Sequence, residues 1–139
     1  MYTKQLSKIS FLYLLLAFFA VPHLIDDFLF GIPAEFGLSV HLTQVLAGVF
    51  MVIYLGIMIP LARGTKIGLY SAMGMGGFLA LAGILKHLPL ILQPGPYWSG
   101  WFSEALIMGL ILTGLAVILT GMLVLRKITK SRYSNESNR

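Results

Sequence analysis

The sequence contains no cysteine. That excludes disulfides, thiol redox relays, iron–sulfur ligation and thiolate zinc. Any redox chemistry would need a bound cofactor or a quinone. Charge is also scarce. Only 11% of the 139 residues are charged, while 58% are hydrophobic. A soluble domain carries about a quarter charged residues, so the balance excludes a water-soluble domain and predicts an all-α integral membrane protein. Acidic residues are rarest, five in all, and the position of each is therefore informative. The formal net charge of +5 does not imply a nucleic-acid partner, because the basic residues flank apolar runs, where they set topology.

The apolar runs predict a four-transmembrane-helix bundle over residues 1–125, with spans at 9–25, 38–62, 67–92 and 103–125 and a basic cytoplasmic tail at 126–139. At about 1.5 Å per residue, runs of this kind suit a hydrocarbon core of about 30 Å. The first run follows Lys4 and Lys8 as a signal peptide would, but bulky residues stand where a cleavage site would need small ones, and three more runs follow. It reads as a retained helix. Pro22 is expected to kink it or to start a new turn, and Gly31-Ile32-Pro33 to break the chain. Arg63-Gly64-Thr65-Lys66 is a tight turn that makes spans two and three antiparallel neighbours. Ala72, Gly76 and Ala80 form a small-residue ridge that allows close approach of another helix. Tyr97, Trp98 and Trp101 in the next loop read as an interfacial aromatic belt, and the tail from Arg126 as frayed.

Four spans put both termini and the Arg63 turn on one side. Lys4, Lys8, Arg63, Lys66, Arg126, Lys127, Lys130, Arg132 and Arg139 lie there, nine of the ten basic residues. The positive-inside rule makes that side cytoplasmic, in a multi-pass protein of a prokaryotic cell membrane. The opposite side holds Asp26, Asp27, Glu35 and Glu104, the one remaining base Lys86, and all three histidines. Charge beside lipid is expensive and marks a functional site by default.

The ligand-binding pocket expected at that face comprises His23, Asp26, Asp27, His41, Gln44, Lys86, His87 and Glu104. His23, Asp26 and Asp27, at i, i+3 and i+4, share a helix face if the helix resumes after Pro22. Two adjacent carboxylates near a helix C-terminus oppose the macrodipole and want a cation, for which Lys86 is the expected partner. His41, His87 and Glu104 each have an ordinary reading as residues at the ends of spans, but together with His23 and the two aspartates they bring polar groups from all four spans to one depth. A one-sided cup of this kind fits a small amphiphile, a quinone or a lipid head group, with its tail between helices. Two alternatives stay open. One is a small proton-coupled transporter acting as a homo-oligomer through the Ala72–Gly76–Ala80 ridge, using Asp26, Asp27 or Glu104. The other is a metal-dependent enzyme using His23, His41 and His87, although no HxxxH or ExxH pair is present, so the pocket is not assigned a metal. The spread of methionines at helical spacing reads as packing.

The order of features resembles the DoxX-like four-span membrane family. The matching points are Gly31 and Pro33 after span one, Gly48 and Gly56 in span two, the Leu61-to-Lys66 turn, His87-Leu88-Pro89 at the exit of span three, and Glu104 opening span four. Gln44 stands where a glutamate would be expected in span two. The resemblance implies an accessory membrane subunit linked to quinone or thiol oxidoreductases, with membrane lipids and an oxidoreductase as partners.

Overall fold

The computed structural model describes residues 2–95 and 97–136, and every regular element among them is helical. Arg139, counted above with the basic residues, lies outside that range. The elements are α1 (Tyr2–Leu29), a short α2 (Ile32–Glu35), α3 (Val40–Ala62), α4 (Lys66–Ala82), a π-helical turn at Gly83–His87, a short α5 (Leu88–Ile91) and α6 (Trp101–Glu136). Four helical stretches are long and apolar enough to cross a membrane: Leu6–Leu29, Val40–Ala62, Lys66–Ile91 and Trp101–Thr129.

The breaks fall where the local chemistry requires them. Gly31 adopts φ 74° and Pro33 occupies the first turn of α2, a conformation and a position that suit those two residues. Ser39 caps α3 by accepting the Leu42 N–H at 3.2 Å, and Thr65 caps α4 by accepting the Gly68 N–H at 3.1 Å. α1 continues through Pro22, so no separate helix starts there. One expectation needs correction. The segment after Arg126 does not fray at once but extends α6 to Glu136, because no Gly or Pro interrupts the ladder and Arg and Lys are good helix formers.

α6 is the central helix, packed along both α1 and α4, while α3 leans chiefly on α4. The α4–α6 crossing is close because both helices offer small residues. Ala72, Gly76 and Ala80 are buried there, and a Cβ at Gly76 would come within 3.0 Å of the Gly114 carbonyl oxygen. The ridge is therefore consumed inside the chain, and it does not supply the dimer seam expected of it. Gly109 lies against Phe19 of α1, and Gly121 against Met73 of α4. α1 and α3 meet at Tyr13 and Tyr54, whose rings stack at 4.4 Å. Each hydroxyl donates to the other residue's backbone carbonyl.

These contacts make successive long helices antiparallel. One end of the bundle carries the Arg63 turn. The other, the acidic end, carries α2, the 92–100 loop and the polar residues described next.

Candidate functional site

The site is built by a local fault in the third long helix. Pro89 has no N–H to give the Leu85 carbonyl, and its ring crowds that turn. The chain accommodates it with the wide turn Gly83–His87, in which the Leu88 N–H bonds to the Gly83 carbonyl, five residues back. Such π turns recur at functional sites because they shift the helix register. Here His87 is buried, 5% exposed, and its ring meets the His23 ring of α1 edge-on at 4.6 Å. Gly83 lets the turn pack closely on α6, since a Cβ there would lie 2.8 Å from the Ile111 side chain.

His23, Asp27 and His87 each offer a nitrogen or oxygen within 4.8 Å of the others. The His23 Nδ1 and the Asp27 Oδ1 stand 3.6 Å apart, too far for a hydrogen bond. Among the described residues, these two are the buried side-chain atoms that lack a hydrogen-bond partner. Leaving such atoms unmatched costs about 1–3 kcal/mol each. His87 differs, because its Nδ1 lies 2.6 Å from the Tyr97 hydroxyl. Burial, and then Asp27, Asp26 and Glu35, push the Tyr97 pKa up, so its hydroxyl keeps its proton and can donate or accept.

Asp26 belongs to a different set of contacts. Adjacent helical residues point about 100° apart, so Asp26 turns to α6 while Asp27 turns to α4. The Ser99 hydroxyl donates to Asp26 Oδ1 at 2.7 Å, and the Ser103 hydroxyl donates to Oδ2. The Ser99 backbone N–H donates in turn to the Ser103 oxygen at 3.1 Å. This fully satisfied carboxylate ties the end of α1 to the start of α6.

The histidine–aspartate cluster forms the polar end of a cleft of about 220 Å³. Leu24 and Ala20 of α1, Phe50 of α3, Phe78 and Leu79 of α4 and Leu110 of α6 line the rest. The cleft joins an apolar trough to a few convergent polar groups, the composition usual in small-molecule sites.

Of the eight pocket residues expected from sequence, His23, Asp27 and His87 line this cleft, and Asp26 braces its rim. Lys86 does not pair with an aspartate. Its Nζ lies 2.8 Å from Glu35 Oε2 and 4.9 Å from the Phe36 ring centroid, so it straps α2 to the third long helix. The i−1 position beside His87 points it away from the cluster. His41 and Gln44 are exposed on α3, outside the cleft lining, so a three-histidine set does not form. Glu104 sits half-buried in the first turn of α6, also outside the lining. The expected aromatic belt divides. Trp101 is exposed, but Tyr97 is buried against His87, and Trp98 stacks between Tyr97 at 4.7 Å and Phe30 at 5.7 Å. Ser99 and Ser103 were not anticipated. Their i, i+4 spacing at the start of a helix was the one available signal.

Comparison with family models, with characterised proteins and with solved structures finds no match to this chain, so the site stands on its own geometry.

Proposed function

We propose that this chain is a multi-pass membrane protein, with both termini in the cytoplasm of a prokaryotic cell, that binds a small amphiphile, a quinone in the first instance, in the His23–Asp27–His87 cleft. The DoxX-like resemblance makes an accessory subunit of a membrane oxidoreductase the natural setting. One observation carries the reading: His23, Asp27 and His87, two of which hold unmatched polar atoms, line a trough whose other lining residues are apolar. A polar head can hydrogen-bond to the cluster while its apolar part lies along Phe50, Phe78 and Leu110.

Membrane insertion is supported by the outward faces. Phe11, Phe18, Val52, Ile67, Phe78 and Leu112 are all more than half exposed, and side chains of this kind along four long helices suit lipid rather than water. Orientation is supported by the charge asymmetry, with Arg63 and Lys66 at one end and Asp26, Asp27 and Glu35 at the other.

Trp98, whose ring lies 5.4 Å from that of His87, is a built-in reporter of binding. Decylubiquinone added to the full chain in detergent should quench its fluorescence saturably, and Asp27→Leu should remove the saturable part. Quenching that is linear, or equal in the two proteins, refutes the quinone reading. The absence of cysteine makes topology directly measurable. On intact cells an impermeant thiol reagent should label Gln93→Cys and spare Ser134→Cys, and the reverse pattern overturns the orientation.

A further inference from the structure

We propose that His23, Asp27 and His87 form a binding site for a divalent first-row transition ion such as Zn²⁺ or Fe²⁺. The inference shares the cleft with the amphiphile reading but stands on the cluster alone. Two imidazoles and one carboxylate are the donor set that such ions favour, whereas Mg²⁺ and Ca²⁺ prefer all-oxygen sites. With no thiol in the chain, thiolate chemistry does not compete.

The geometry is close to what an ion needs. Metal–ligand bonds of about 2.0–2.1 Å in a tetrahedral site hold donor atoms about 3.3 Å apart. His23 Nδ1 and Asp27 Oδ1 are already 3.6 Å apart, and each of the three residues offers a donor atom within 4.8 Å of the others'. Side-chain rotation closes the remainder. The i, i+4 spacing of His23 and Asp27 puts two donors on one face of α1, and the π turn brings the third from the opposite helix.

Two further observations point to a ligand. The atoms without partners, His23 Nδ1 and Asp27 Oδ1, belong to two residues of the set, and an ion would satisfy both. His87, the third donor, is already oriented. When its Nδ1–H donates to the Tyr97 oxygen, 2.6 Å away, the lone pair on Nε2 is free. That hydrogen bond is the outer support that metal-bound histidines usually carry. Charge agrees as well. Among the described residues, Asp26, Asp27, Glu35 and Glu104 face a single cation, Lys86, at this end, and a divalent ion offsets two of the three excess negative charges. Three protein donors leave a coordination position open toward the cleft, as catalytic or substrate-binding metal sites do and closed structural sites do not.

The test is a Co²⁺ titration of the full chain in detergent, stripped with a chelator beforehand and followed by visible absorption, with no quinone present. One equivalent should bind and give the intense bands of a low-coordinate nitrogen–oxygen site. His23→Leu and Asp27→Leu should each weaken binding at least 100-fold, and Tyr97→Phe about 10-fold to 100-fold. His41→Gln should bind as the wild type does. Tyr97→Phe keeps the buried ring, so it remains informative if a cluster variant fails to fold. No saturable Co²⁺ binding by the wild type, or binding unchanged in both His23→Leu and Tyr97→Phe, overturns the site. Because Co²⁺ and decylubiquinone are titrated separately, loss of either reading leaves the other to its own result.

Discussion

Two of the buried polar clusters that join α1 to another helix are built on opposite principles. Toward the Arg63 end, Tyr13 and Tyr54 stack face to face, and each hydroxyl reaches a backbone carbonyl across the interface. At the acidic end, His23 and Asp27 approach His87 and leave two polar atoms unmatched beside a cleft. The tyrosine pair resembles the interhelical hydrogen bonds that hold membrane bundles together. The histidine–aspartate cluster holds nothing together well. A polar group that is costly to the fold and idle within it is best explained by a ligand, and this contrast carries the functional reading. Asp26 sharpens it. One residue from Asp27, it is fully satisfied by Ser99 and Ser103, so this chain is able to satisfy a buried carboxylate when the role is structural.

The contrast breaks most visibly at the tyrosines. Tyr54→Ala should cost about 3–5 kcal/mol, the usual result of truncating a large buried aromatic ring; reversible unfolding in mixed micelles measures it. Ser103→Ala, which removes a donor from a buried carboxylate, should cost about 1.5–3 kcal/mol in the same assay. The open cluster should behave in the opposite sense. The double variant His23→Leu with Asp27→Leu should leave stability unchanged or raise it by up to about 3 kcal/mol, because it removes two unmatched polar atoms, while abolishing Co²⁺ and decylubiquinone binding. A clear loss of stability there would make the cluster a second structural clasp. The smallest effect belongs to Lys86 and Glu35, which are partly exposed. Lys86→Met and Glu35→Gln should each cost less than about 1 kcal/mol, and a double-mutant cycle should give a coupling no larger than that.

Much of the fold was legible because it rests on local chemistry. The four long helices follow from apolar run length, the Gly31–Pro33 break and the Arg63–Lys66 turn from residues that cannot continue a helix, and the antiparallel order from short connections. The site was half legible. His23, Asp27 and His87 stand out as charged or titratable groups in apolar runs, and their shared end follows from counting spans. Which way each one faces did not follow. The helices are apolar nearly all round, so the sequence carries little facing information for α3, where His41 and Gln44 turn outward. Pairing depends on tertiary distance, which is why Lys86 reaches Glu35 of α2 and not an aspartate. The π turn also rotates His87 away from where regular helical spacing would put it. Pro89 was its only sign in the sequence.

The most direct test of the central claim is native mass spectrometry on the full chain released gently from its membrane, wild type beside the His23→Leu, Asp27→Leu double variant. The account predicts that the wild type carries one bound small amphiphile per chain and that the double variant, equally or more stable, carries none. Identical spectra for the two proteins, with or without bound amphiphile, would contradict it.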